Sequence, residues 1–253
     1  RAARRQERIE QELRIASQIQ RKLLPRKQPD FPGISVYGWM HSAKEVGGDY
    51  YDFVPSPSGK SLYVCIGDVS GKGVPAGMVM ASARSALRPL VERDVHSTRE
   101  MVVSLNRLLC GDLDQEMFLS FLLMRFDEGS GTVFYTGAGH ENILIWRQAT
   151  GQLEVLKTGG MVMGITTRLE QSIQEKTLEL AIGDGLVLYT DGVTEAVNEE
   201  REQFQLERLV AACKRSAGQE AKQALHAILS EVLRFKSRAT QRDDITMVVI
   251  KRV

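Results

Sequence analysis

From residue 34 onward the chain is a succession of short stretches in which apolar and polar positions alternate, punctuated by Gly, Pro and Ser. Residues 34–40, with Val36, Gly38 and Met40 spaced by two, predict a strand. A second is expected over 50–54, and an apolar one over 62–66 that ends at Asp68. Helical spacing takes over at 74–93, where Ala76, Gly77, Ala81, Ala83 and Ala86 permit close packing and Pro75 suits a first turn. A further helix is expected over 98–113, with Met101, Leu105, Leu108 and Leu109 on one face. Strands return at 117–126, 132–135, 142–147, 153–156, 173–180 and 186–190, several divided by Gly-containing turns. Helices over 205–214 and 220–235 precede a last strand at 245–251. Strands joined by short turns, with helices grouped instead of alternating, predict an α+β fold: two stacked antiparallel sheets with helices outside.

Residues 1–24 carry no Gly or Pro before Pro25 and predict an N-terminal helix. Ile9, Leu13, Ala16, Gln20 and Leu23 fall at alternating steps of four and three, a narrow seam with one polar member. Two readings stand: a solvated helix packed on its own domain, or a coiled coil that pairs two subunits and relays a signal. Pro25, Pro29, Pro32 and Gly33 break the helix, dividing the chain into a helical linker, 1–24, and a domain, 25–253. The chain opens on Arg1 and not Met, so further protein upstream is expected.

Bulk numbers narrow the possibilities. The 253 residues are 43% hydrophobic and 26% charged, as in an ordinary globular protein. A net charge of +1 gives no basic bias toward nucleic acid. No apolar run reaches the roughly 18 residues of a membrane span, and no secretory signal is present, so no membrane contact is expected. Cys65, Cys110 and Cys213 are too scattered for a disulfide framework or a CxxC motif, which predicts a reducing cytoplasm.

The candidate chemistry lies in acidic residues at strand ends. Gly47-Gly48-Asp49, Gly67-Asp68, Thr190-Asp191-Gly192 and Asp243-Asp244 each put a carboxylate at the lip of an apolar run beside Gly or another Asp. A lone strand-end Asp is usually a turn former or helix cap; four in this setting predict convergence on cations. Hard cations such as Mg²⁺ and Mn²⁺ take oxygen ligands, and two ions about 3.5–4 Å apart can activate water and neutralise a phosphoryl group. Asp49, Asp68, Asp191 and Asp243 are the predicted ligands, and the Val69 carbonyl can join them. The reaction class is hydrolysis of a phosphate ester.

Other motifs are weaker. Gly67 to Lys72 resembles a P-loop but has three residues between its glycines, and Gly73 replaces the Ser or Thr that would hold Mg²⁺. There is no HxxxH zinc pair and no G-x-S-x-G elbow. His140 reads either as a general acid for the leaving group or as a structural residue at a hairpin. Lys44 and Lys72 either attract phosphate or are simply solvated.

Together these stretches resemble the metal-dependent serine/threonine phosphatases of the PPM (PP2C-like) superfamily, specifically the bacterial SpoIIE/RsbU-type branch. The resemblance runs through Gln18-Ile19-Gln20 to Leu23-Leu24-Pro25, 46–52, 67–76, Ala138-Gly139-His140, 189–196 and 243–246. It implies an α/β/β/α sandwich, two ions of Mn²⁺ or Mg²⁺, and ligation by Asp49, Asp68, Val69, Asp191 and Asp243. Asp244 is implied either as a ligand or as the neighbour that orients one. The implied substrate is a phosphorylated STAS-domain antagonist of an anti-sigma factor, and the implied assembly is a homodimer paired through the N-terminal helix and governed by an upstream sensor. An interaction module with little catalysis of its own is the alternative. Asn142-Ile143 departs from the family's proline, and Arg201 and Gln205 stand where glycines are common, in a loop expected to meet substrate.

Overall fold

The computed structural model describes residues 2–112 and 117–253. In chain order the elements begin α1 (Ala2–Leu23), β1 (Ile34–His41), β2 (Tyr50–Pro55), β3 (Ser61–Val69), α2 (Val74–Glu92) and α3 (Thr98–Asp112). Next come β4 (Leu119–Asp127), β5 (Thr132–Ala138), β6 (Ile143–Arg147), β7 (Gln152–Leu156), β8 (Lys176–Glu179) and β9 (Gly185–Tyr189). The chain finishes with α4 (Asp191–Thr194), α5 (Gln205–Ser216), α6 (Ala221–Lys236) and β10 (Ile245–Arg252). One sheet has the order β1-β10-β9-β6-β7 and the other β2-β3-β4-β5-β8, every ladder antiparallel.

The alternation read from the sequence decides which side each residue takes, because successive side chains of a strand point to opposite faces. On β3, Leu62, Val64 and Ile66 enter the layer between the sheets, where they meet Leu186, Leu188, Val248 and Ile250 of the other sheet. Tyr63 and Cys65 face the opposite way, into a second core beneath α2 and α3. Val187, Tyr189, Met247 and Val249 form a third core with α5 and α6. The result is the expected α/β/β/α sandwich. Cys65 and Cys213 are buried and reduced, as small apolar residues.

One buried charge fixes α2 to its sheet. Asp52 has 0% of its surface exposed and takes a two-point contact from Arg88, Nε to Oδ2 at 3.1 Å and Nη2 to Oδ1 at 3.0 Å. The Tyr50 hydroxyl donates to the same carboxylate at 3.1 Å. Arg88→Met leaves that carboxylate with Arg84 at 3.8 Å as its remaining cation. Breaking a buried pair from one side is costly, so urea unfolding should show a loss of about 3 kcal/mol.

Three details differ from the expectations. The 173–180 strand contracts to β8, because Ile173 turns into the core beneath α3 after a 3-10 turn at Leu169–Gln171. Strand β8 pairs with β5 and not with its sequence neighbours. The short helix α4 was not foreseen. The end of the 98–113 helix at Leu113 lies outside the described residues. At the N-terminus, Ser17 and Gln20 of α1 are buried against the protein's own body, while Ile9, Ile15 and Ile19 are exposed. The C-terminal half of the seam therefore packs inward.

Candidate active site

Strand parity places the site. Asp49 and Asp68 fall on the inward-facing register of β2 and β3, and Thr190, Asp244 and Thr246 on that of β9 and β10. The apolar layer between the sheets thus ends, along one edge, in oxygen-bearing side chains from both sheets. Asp49 is buried, and its Oδ2 accepts from Thr190 Oγ1 at 2.8 Å and from Thr246 Oγ1. Asp68 is the penultimate residue of β3, and Asp191 opens α4. Asp243 lies in the turn before β10, where its Oδ2 accepts from Lys72 Nζ at 2.7 Å. Lys72 also donates to the Arg242 carbonyl. Lys44 is exposed.

The carboxylates strain against one another. Asp68 is pushed up to about 7, first by burial and then by Asp191 and Asp243. Asp191 rises to about 6, by burial and then by Asp243, Glu195 and Glu141. Asp49 is raised well above the usual range, by burial and then by Asp68, against the two threonine hydroxyls that lower it. Desolvation and like charge both disfavour the ionised forms. A hard cation relieves both, and every available donor is oxygen. The Val69 carbonyl would stand 2.8 Å from a Cβ on Gly48, so only glycine lets the Asp49 loop lie against it. In charge and donor type the site fits a divalent cation. Among the described residues no group of three or more His, Cys, Asp or Glu side chains is already arranged to hold a metal ion.

Asp244 has a distinct place. Its Oδ1 accepts from Ala43 N at 2.7 Å and its Oδ2 from Gly48 N at 2.7 Å. With both oxygens engaged by the loop that delivers Asp49, it is a fastener for that loop. A second fastener comes from α1: Gln20 Nε2 donates to Gly47 O at 2.6 Å, and Gly47 N donates to Gln20 Oε1 at 3.0 Å. The polar member of the seam is thus a clamp on the loop before Asp49. His140 is buried, its Nδ1 lies 2.9 Å from Ser120 Oγ, and burial pushes it down to about 4. At neutral pH it is uncharged, which favours the structural reading.

Sequence reasoning missed Thr190, Thr246 and Gln20. The signal for the threonines was a hydroxyl at an inward position of strands whose other inward positions are Leu, Val or Ile. Thr246→Val keeps the shape and removes one hydroxyl from Asp49. Partners of this kind are typically worth about 10–100-fold in metal affinity or activity. A loss in that range, with an unchanged melting temperature to within a few degrees, is the expected result of a steady-state assay.

The family model described as Stage II sporulation protein E (SpoIIE) matches residues 58–253. The phosphoserine phosphatase RsbU of Bacillus subtilis is 30% identical over 249 residues, covering 98% of this chain and 72% of RsbU. Among solved structures, the SiaA-PP2C domain of Pseudomonas aeruginosa superposes with a TM-score of 0.85 at 21% identity, covering 97% of this chain and 98% of that one. The RsbU and RsbW domains of a Mycobacterium tuberculosis protein give 0.73 at 24% identity, covering 88% of this chain and 61% of that one. At these identities the two structures attest the fold alone.

Proposed function

The chain belongs to the SpoIIE family of PP2C-type phosphatases and is a protein serine/threonine phosphatase; on that premise we propose that it dephosphorylates a STAS-domain antagonist of an anti-sigma factor, using two divalent ions at the Asp49–Asp68–Asp191–Asp243 edge. The observation that carries this reading is the crowding of those carboxylates, with Asp68 held at about 7 and Asp191 at about 6.

Asp49, Asp68, Asp191, Asp243 and the Val69 carbonyl would hold the ions. Bound Mn²⁺ or Mg²⁺ supplies Lewis-acid activation of water and neutralises charge on the phosphoryl oxygens. The chain does the rest. Thr190 and Thr246 donate to Asp49, which favours its ionised form against burial and fixes its carboxylate. Asp244 and Gln20 fix the approach of the loop that carries it. Lys72, already beside Asp243, places an ammonium where a phosphate monoester would arrive. Glu141 and Glu195, near Asp191, add to the negative potential that draws in cations.

No helix among the described residues is long and apolar enough to cross a membrane, and we place the protein in the cytoplasm, without a nucleic-acid partner. We assign pairing of two chains to α1, whose Ile9, Ile15 and Ile19 are exposed, and control to a sensor domain upstream. The test is phosphate release from a phosphorylated STAS protein with Mn²⁺, with Mg²⁺ and after chelation. Turnover with metal and none after chelation is expected; metal-independent turnover rejects the two-ion site. Hydrolysis of p-nitrophenyl phosphate without any on STAS phosphoproteins rejects the substrate and keeps the enzyme.

A further inference from the structure

Beside the carboxylate edge, the surface carries a groove of about 330 Å³ formed by the loop after α4 and the turn after α6, with Asn198, Arg201, Arg238, Thr240 and Arg242 along it. Val197, Thr240 and Arg242 continue into a smaller hollow of about 100 Å³ that reaches Gly192 and Asp243. Through these shared residues, the groove lined by three guanidinium groups adjoins the hollow that reaches Asp243. Arg201, Arg238 and Arg242 are exposed. Glu199 is the acidic residue among them, and its Oε1 accepts from Ser237 Oγ at 2.9 Å and from Arg238 N at 3.2 Å. The groove keeps an excess of positive charge, next to a centre that is strongly negative.

The backbone supplies an independent observation. Arg201 has φ 67°, a left-handed conformation that is costly for any residue with a Cβ. The turn is set by hydrogen bonds from Arg201 N to Asn198 O at 3.1 Å and from Glu202 N to Asn198 Oδ1 at 2.8 Å. Glycine would fit that position without strain. Strain kept at a surface loop beside a catalytic site points to a use for the side chain it carries.

We propose that this groove is a specificity subsite that binds acidic residues flanking the phosphoserine or phosphothreonine of the substrate protein. The inference rests on the phosphatase reading above and deepens it. Guanidinium groups pair with carboxylates by two parallel hydrogen bonds, and the groove adjoins the hollow that reaches Asp243. Arg201 and Arg238 sit at the far end from the metal edge and act on docking alone.

The experiment compares two synthetic phosphoserine peptides, one flanked by Glu and one by Gln, on the wild type, Arg201→Gly, Arg238→Gln and the double variant. Arg201→Gly removes the charge and suits the backbone, so folding is preserved. Fluorescence anisotropy of the metal-free protein should show the Glu peptide bound about tenfold more tightly at low salt, a preference lost in the double variant and in about 0.5 M salt. With Mn²⁺, kcat/KM for the Glu peptide should fall by the same factor in the double variant while p-nitrophenyl phosphate hydrolysis is unchanged. Equal binding of the two peptides by the wild type, or a preference that survives in the double variant, overturns the subsite. Absence of p-nitrophenyl phosphate turnover in every protein, with the binding preference intact, would instead reject the phosphatase reading.

Discussion

Asp68→Asn is expected to lower phosphoester hydrolysis by on the order of 10³-fold while raising the melting temperature of the metal-free protein above pH 7. The two effects share one origin. Asp68 is pushed up to about 7 by burial and then by Asp191 and Asp243. Above that pH the fold carries an ionised group it disfavours, and Asn removes the charge while keeping the size. The same substitution takes a donor from the proposed metal site, so the catalytic loss follows. Asp191→Asn, starting from about 6, should behave alike with a smaller gain in stability. Steady-state assays and thermal scans on one preparation measure both quantities. Undiminished turnover in either variant would remove that residue from the site.

A second large effect is the response of stability to pH and metal together. Asp68 and Asp191 bind protons more tightly in the folded chain than at the ordinary value near 3.8. Below about pH 4 both states are protonated at these positions, and stability is undiminished. As pH rises the unfolded chain ionises first, so stability is lost through the window from about pH 4 to about pH 7 and levels off above it. A divalent ion binds only the deprotonated carboxylates. Saturating Mn²⁺ should therefore raise the melting temperature strongly at pH 8 and little at pH 5. Equal stabilisation at the two values would mean that the ion binds somewhere other than these aspartates.

The placement of the four aspartates at strand termini was legible from the apolar runs beside them: Asp49 and Asp243 lie just before β2 and β10, Asp68 near the end of β3 and Asp191 just after β9. The sheets were legible because alternation at period two assigns every inward residue to one layer. Other features were hidden for physical reasons. Thr190 and Thr246 pass as ordinary strand formers until the opposite sheet brings Asp49 onto their hydroxyls. Gln20 looks like a flaw in a helical seam until the loop at Gly47 folds back over it. Strand β8 escaped in part because Ile173 is as apolar as a strand residue, yet its burial lies beneath a helix. The division at residue 24 describes composition well, but the last turns of α1 belong physically to the domain that follows. The glycine departures were visible as letters; that Arg201 and Gln205 keep the left-handed backbone, at φ 67° and 66°, was not.

The two halves of the carboxylate edge adjoin different sheets: Asp49 and Asp68 that of β2 and β3, Asp191 and Asp243 that of β9 and β10. The hydrogen bonds from Thr190 and Thr246 to Asp49 and the apolar filling between the sheets together set how far apart those halves stand. Ile66, Leu188 and Val248 therefore act as shims: each sits one or two residues inward from a carboxylate or a threonine that holds one. A methyl group added or removed in that close-packed layer should shift the carboxylates relative to one another without touching any polar atom.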